Sequence, residues 1–486
     1  MVAVCESSKD HATSQTRDAS LRPLLWTLLL GGSVVSISNS ALNPAIPVFM
    51  SVFSVDIVMG GWVLNAYVLA MSIGLMVSGY LSKHFVFKRI YILAMFGFML
   101  GSVLGMLAES MTMVIAARAM QGISGGLIIP LSIGMLYQVY PKSKHGRVMA
   151  LWGIVVMMAL AFGPLLGAYL VEHFAWWTLF AVTLPLSVAV LLLSWRLPAL
   201  VNDKDNAKKS QPARFDTLGF VGLLLWLLVL MAWLSSLKTD AATSAANALQ
   251  TGAIALAFMC AFVLWWRYEA KQSTPLINVR LFAQRTYLHT TLISITQTIG
   301  LMIGLLLLPI IVQDVMGSSA LWTGAILMAA TVVSSVTTHF AGRQVDKHGA
   351  RTIGLVGIVF GALSMLLLAG ILYQPTLWLL FVVMSVQGVG VGLAYLPTTS
   401  VGLSSLDKSV VTEGAALNNI SRRIVSTIVI ALVTVYVAGR DAVSVVNQTV
   451  GALSTAAAIQ DVFVVLAMVL LLTLFCAYRL PKHAAK

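Results

Sequence analysis

One pattern recurs from residue 24 to residue 479: runs of about 20 mostly apolar residues, the length a helix needs to cross the roughly 30 Å hydrocarbon core of a bilayer. In that solvent every backbone amide and carbonyl must be satisfied within the protein, which leaves helices or closed barrels. The runs are too long and too uniformly apolar for the alternating strands of a barrel. The expected fold is therefore an all-α integral membrane bundle, in contact with lipid along most of its length. Spans are expected near 24–50, 59–82, 89–108, 112–138, 147–171 and 176–196, then 217–236 and 250–267. Six more follow near 287–314, 321–341, 351–371, 376–402, 414–438 and 459–479, making fourteen in all.

Composition agrees: 59% of the 486 residues are hydrophobic, 10% are charged, and the mean hydropathy is +0.92. The net charge of +13 could point to a nucleic-acid partner, but its distribution argues otherwise. With the N-terminus inside, 27 of the 30 Lys and Arg residues, Arg422 and Arg423 among them, are assigned to cytoplasmic segments. Lys238 and Arg440 fall outside and Arg118 falls in a span. That asymmetry is the positive-inside pattern of membrane topology. It implies both termini in the cytoplasm and no nucleic-acid binding. Cys5, Cys260 and Cys476 have no metal-ligand or disulfide spacing. Residues 1–23 are polar and lack the apolar core and cleavage site of a signal peptide.

The polar stretch 203–214, DKDNAKKSQPAR, separates the first six spans from the next pair. The expected division is a cytoplasmic tail (1–23), a six-helix bundle (24–198), linkers with two inserted helices (199–286), a second six-helix bundle (287–479) and a tail (480–486). Stretches 239–249 and 446–460 read as outer loops. The two bundles repeat each other. Pro47 recurs as Pro309, Gly79 as Gly342, QGISGG at 121–126 as QGVGVG at 387–392, and Pro130 as Pro397, all at offsets between 262 and 267. Duplicated halves flanking a midplane site are a transporter design.

Arg118 is the charge that matters most. At the centre of a spanning helix an Arg costs roughly 2.5–3.5 kcal/mol on the insertion scale, so such a residue is a functional hypothesis by default. Gln121 and Gly122 follow it one turn on. The segment holding Gly153, Gly163, Pro164 and Gly167 offers a close helix approach and a bend, although pairs like Gly163/Gly167 are also ordinary packing seams. In the segment 342–351, GRQVDKHGAR, Asp346 can cap the following helix or pair with Arg351, with Gly342 and Gly349 easing the turn. The bland reading is a basic loop and nothing more.

Together the stretch from Val114 through Arg118 to Gly122, the segment FGPLLG at 162–167, and the segment 342–351 resemble three signature motifs of the major facilitator superfamily. With fourteen spans the chain is similar to the drug:proton antiporter branch that includes EmrB- and QacA-type exporters. Asp216 and Gly219 at the start of the inserted pair, and Pro275 and Phe282 after it, add to the likeness. The resemblance implies a two-bundle fold, a coupling role for Arg118, Gln121 and Gly122, and an antiporter motif at Gly153, Gly163, Pro164 and Gly167. It also implies a cytoplasmic gating loop at Gly342, Asp346, Lys347, Gly349 and Arg351. The first-half copy of that loop departs from the pattern: Lys83 stands where the acid belongs, Val86 replaces the glycine and Phe87 the arginine.

The candidate substrate cavity is drawn from Ser38, Asn39, Asn43, Trp62, Tyr67, Trp152, Gln297, Tyr395 and Asn418. Each of these alone is as well explained by packing. All seventeen acidic residues fall in loops or near span ends. Arg118 cannot be the proton carrier, because a guanidinium stays charged. Asp56, Glu172, Asp314, His289 and His339 are the remaining titratable candidates. No phosphate loop, metal-ligand cluster or nucleophile–base pair appears, so neither an enzyme nor a cofactor is expected. The expectation is proton-driven export of a lipophilic small molecule across the cytoplasmic membrane, alone or with a periplasmic adaptor and outer-membrane channel. The alternatives are gradient-coupled uptake and a transport-inactive sensor or scaffold.

Overall fold

The computed structural model describes residues 23–141, 145–195, 216–236, 245–272, 278–371, 376–407, 410–446 and 451–480. Among them there is no strand. Fourteen helices follow one another: α1 (Pro23–Val52), α2 (Ile57–His84), α3 (Phe87–Met106), α4 (Met111–Val139), α5 (His145–His173), α6 (Thr178–Trp195), α7 (Thr217–Ser236), α8 (Ala245–Lys271), α9 (Arg285–Val315), α10 (Ala320–Ala341), α11 (Gly349–Ile371), α12 (Leu377–Ser404), α13 (Val411–Val446) and α14 (Ala456–Tyr478). Thirteen are long and apolar enough to cross a membrane on their described residues, and α7 is a 20-residue helix. These are the fourteen spans expected from the sequence.

Local chemistry sets the breaks. The Asp56 side chain accepts the Met59 amide at 2.9 Å and caps α2, and Ser110 caps α4 in the same way. Such caps satisfy amides that have no partner within their own helix. Near its end α1 tightens into a 3₁₀ turn at Asn43–Ala45, where Pro44 donates no amide. Between α10 and α11 the backbone stays helical from Ala320 to Ile371, except at Gly349, which takes a φ of +80°. Only glycine adopts that conformation without strain.

Small residues weld neighbouring helices. A methyl group added at Gly122 would lie 2.5 Å from the Tyr67 carbonyl oxygen, and one at Gly126 would collide with the Met71 carbonyl. These positions press α4 onto α2. In the second half Gly388 and Gly392 press α12 onto α10 against Ala330 and Ser334. The QGISGG and QGVGVG copies thus perform the same packing, the close approach on which membrane helices rely where the hydrophobic effect cannot draw them together. Gly163 and Gly167 of α5 sit directly on Ser40 and Ala41 of α1.

The inserted pair lies on the flank. The Trp226 Nε1 donates to the Phe258 carbonyl at 2.9 Å and the Trp265 Nε1 to the Gly219 carbonyl at 2.8 Å, lacing α7 to α8. From α7, Leu223, Leu227 and Leu230 enter a cluster with Leu69 of α2 and Leu417 and Ile420 of α13. Leu256, Met259 and Leu264 of α8 face outward.

The two six-helix halves meet closely at the end of the bundle that carries residues 53–56. There Gln313 Nε2 donates to the Pro44 carbonyl at 2.8 Å, and the Leu321 amide donates to Glu172 Oε2 at 3.1 Å. A methyl group at Gly324 would lie 2.7 Å from the Pro164 carbonyl oxygen, and one at Gly61 would lie 2.8 Å from Thr434 Cγ2.

Several expectations change. Residues 245–249 and 451–460, read as outer loop, are helical: the first begin α8 and the second run into α14. Residues 342–348, read as a loop, are helical. Gly153 has nothing within 4 Å of an added methyl, so it is no part of a close seam. The linker 203–214 and residues 1–22 and 481–486 lie outside the described residues.

The α1–α5 seam yields a paired prediction. Gly167→Val overpacks against Ala41 and lowers thermal stability in detergent by about 1–3 kcal/mol. Gly153→Ala does not lower it, because the space is open and alanine gains up to about 1 kcal/mol of helix propensity. Melting curves of the purified variants decide both.

Candidate functional site

The first polar cluster belongs to the first half. Arg118 is completely buried on α4. Its Nε donates to the Val63 carbonyl of α2 at 3.3 Å, and its Nη1 donates to the Ser38 carbonyl of α1 at 3.2 Å and to Gln121 Oε1 at 3.0 Å. The guanidinium lies 4.0 Å from the centre of the Tyr67 ring. Gln121 then passes the chain onward: its Nε2 donates to Ser102 Oγ of α3 at 2.9 Å, and Ser102 shares a 2.9 Å hydrogen bond with Thr183 of α6. Five helices are joined through one guanidinium and one amide. The cation is thereby satisfied by carbonyl oxygens and a π face, with no carboxylate in contact among the described residues. Nη2 alone has no partner among them.

The second cluster belongs to the second half and corrects the sequence reading. Arg422 and Arg423, assigned there to a cytoplasmic segment, lie inside α13, about three turns from its start and within the membrane-spanning stretch Glu413–Arg440. Arg422 Nη1 donates to Thr298 Oγ1 of α9 at 3.3 Å, and its guanidinium lies 4.5 Å from the centre of the Tyr395 ring of α12. Arg423 Nε donates to Asn419 Oδ1 at 2.9 Å. The helices that carry the two clusters also adjoin across the halves, with Gly61 of α2 against Thr434 of α13. Asn418 donates to Thr291 Oγ1 at 3.2 Å and accepts from Ser294 Oγ at 3.4 Å, fixing α13 to α9. The sequence did carry a signal for this face: Asn418, Arg422 and Ser426, and beside them Asn419, Arg423 and Thr427, recur every four residues, the spacing of one helix face.

The candidate cavity residues divide accordingly. Ser38 and Tyr67 join the Arg118 cluster, and Tyr395 and Asn418 join the Arg422 cluster. Gln297 is buried beside Gly361 of α11. Asn43 is buried in the 3₁₀ turn, and Asn39 is half-buried on α1. Trp62 and Trp152 are not brought to either cluster. Trp62 packs against the cluster shared with the inserted pair, and Trp152 packs against α1 at Gly32.

In the segment 342–351, Arg351 stacks 3.5 Å from the centre of the Tyr478 ring of α14. The side chains of Gly342, Asp346, Lys347 and, in the first-half copy, Lys83 lie outside the described residues. Of the titratable candidates, Asp56 is engaged as a helix cap, Glu172 holds the α5–α10 contact, Asp314 and His339 are exposed and His289 is half-buried.

Removal of the Arg118 side chain deletes three hydrogen bonds to other helices, to the Val63 carbonyl and to the carbonyl and hydroxyl of Ser38. At about 0.6 kcal/mol each in a membrane protein, Arg118→Ala loses about 2 kcal/mol of stability. Arg118→Lys recovers only part of it, since one ammonium cannot address Val63 and Gln121 together. Thermal unfolding of the two purified variants beside the parent protein checks the order.

Comparison with known proteins places this geometry. Residues 28–430 match the model of the Major Facilitator Superfamily. An uncharacterized MFS-type transporter of Bacillus subtilis (strain 168), YhcA, is 25% identical over 426 residues, covering 87% of this chain and 78% of its own length. The multidrug export protein EmrB of Haemophilus influenzae is 24% identical over 422 residues, covering 86% and 81%. Among solved structures, that of a D-xylose–proton symporter superposes with a TM-score of 0.61 at 16% identity, covering 95% of this chain and 98% of that one. The last likeness is one of fold.

Proposed function

Since the chain belongs to the Major Facilitator Superfamily of transporters, we propose that it exports lipophilic small molecules by alternating access, driven by proton entry. On this reading it sits in the cytoplasmic membrane with both termini inside. The end that carries residues 53–56 then faces outward, and the contacts of Gln313 with Pro44 and of Leu321 with Glu172 form its closed outer gate. The second half rocks against the first to open it.

The observation that carries the export reading is the position of the segment 162–167. With one face, through Gly163 and Gly167, it is welded to α1. With Pro164 and the neighbouring Ala168 it meets Gly324 of α10 in the other half. The motif associated with exporters is thus the moving contact of the outer gate. A relative bearing the printed name of a multidrug export protein supports the same direction. Energy comes from a gradient, because the segments between the helices are too short to hold an ATPase.

The interior suits such a task. Arg118 ties α1, α2 and α4 into one rigid body, and a rigid half is what rocking requires. Its charge is fixed, so proton coupling falls to other groups, of which Asp56, Glu172 and Asp314 lie at the outer end and Glu172 takes part in the gate contact itself.

Two measurements test the proposal. Cells expressing the protein tolerate higher concentrations of lipophilic drugs than cells without it, an uncoupler removes the difference, and Arg118→Ala does not confer it. No change for any compound in a broad panel would favour a transport-inactive scaffold, and net accumulation in right-side-out vesicles would favour uptake. Gly324→Leu meets the Pro164 carbonyl only when the outer gate is shut. An overpacking cost of about 1–3 kcal/mol on that state alone lowers its population by about one to two decades. Flux falls correspondingly while membrane insertion is retained, as vesicle transport and immunoblotting of the membrane fraction would show.

A further inference from the structure

We propose that Arg422 and Arg423 form an anion-binding site between the two halves, and that the substrate occupying it is a lipophilic monoanion, the deprotonated form of an aromatic weak acid. This deepens the transport reading and rests on it for the direction of movement, whereas binding itself does not.

The charges come first. Arg118 lies over the Tyr67 ring, Arg422 over the Tyr395 ring and Arg423 against Asn419, and no carboxylate contacts these three cations among the described residues. The ion pair described on α13, between Arg440 and Asp461, lies at the far end of that helix. Arg118 is enclosed and held by carbonyl oxygens, so its charge is structural. Arg422 and Arg423 are adjacent in sequence, only half-buried, and held by a single neutral side-chain acceptor each. Two like charges side by side in a low-dielectric interior are costly unless a negative charge joins them. A bound anion supplies it.

Geometry selects the kind of anion. Arg422 Nε is buried and has no hydrogen-bond partner among the described residues, which leaves part of its planar donor fork free for an acceptor. That fork matches a carboxylate or a similar delocalised oxyanion better than an ammonium could. The Tyr395 ring beneath Arg422 offers an aromatic face beside the charge. Farther along α13, Val425 and Val429 pack into the apolar core of the second half. A charged head against an arginine pair, with an aromatic or aliphatic body on apolar walls, is the chemistry of a lipophilic weak acid. A dication would meet the uncompensated arginines and be repelled. Charge also favours the direction, because an anion leaving the cytoplasm moves with an inside-negative membrane potential.

The test uses a matched pair of probes, naphthalene-2-acetate and naphthalene-2-acetamide, which differ in charge and hardly in shape. Isothermal titration of the full chain in detergent is expected to show the acid binding about tenfold or more tighter than the amide. Arg422→Gln with Arg423→Gln removes that preference, the corresponding Lys pair retains most of it, and Arg440→Gln leaves it unchanged. Equal affinities for the two probes, no binding of the acid, or a preference that survives the double Gln variant would overturn the proposal. If the double variant misfolds, the parent protein and the Lys pair still decide it. The same proteins in liposomes separate the two readings. Acid binding that depends on the arginines without flux of either probe sinks export and keeps the anion site. Drug flux without acid preference does the reverse.

Discussion

A guanidinium that cannot reach water must find acceptors within the protein, and in this bundle that requirement organises a whole half. Arg118 has no exposed surface and donates hydrogen bonds to Ser38, Val63 and Gln121, while the Tyr67 ring covers its face. Each acceptor sits on a different part of the chain, so the position of α4 relative to α1 and α2 is set by a fixed cation rather than by apolar packing alone. Through Gln121 and Ser102 the same network reaches α3 and α6. The glycines of α4 permit it: only where Gly122 and Gly126 let α2 lie against α4 can the Val63 carbonyl come within reach.

The second half repeats this architecture without repeating its charge. Gln387 occupies the position of Gln121 and donates to the Gly300 carbonyl at 3.0 Å, and Gly388 and Gly392 press α12 onto α10 as Gly122 and Gly126 press α4 onto α2. At the offset of that motif, however, the counterpart of Arg118 is Met384, buried and apolar. The cations of this half are carried by α13 instead, where Arg422 and Arg423 stand beside α9 and α12. One half is therefore stiffened by an enclosed cation, and the other carries two half-buried cations on α13.

Much of this was written in the chain at short range. Apolar runs of bilayer length mark the fourteen helices, because the hydrocarbon core sets both their length and their composition. The repeat is legible from QGISGG and QGVGVG, whose glycines do the same packing in both places. Arg118 stands out because a lone charge in an apolar run is costly. Arg422 and Arg423 were equally visible as letters but were misplaced, since two bases near a helix start also satisfy a topological rule, and only their four-residue spacing with Asn418, Asn419, Ser426 and Thr427 argued for a buried face. The segment 342–351 was read as a loop because of its charges, yet its backbone stays helical up to Gly349.

What the sequence determined by itself is the class of solvent, the number of helices, the duplication and one costly charge, Arg118, all of which follow from local composition and periodicity. Which helix each charge meets was decided only by the tertiary structure. The partners of Arg118 lie 55 and 80 residues away in Val63 and Ser38, and the partner of Arg422 lies 124 residues away in Thr298. Contacts over such separations depend on which small residues allow two helices to approach, and glycines are alike in sequence until packing shows what they meet: Gly167 seats α5 on α1, and a methyl added at Gly153, in the same motif, would meet nothing within 4 Å among the described residues.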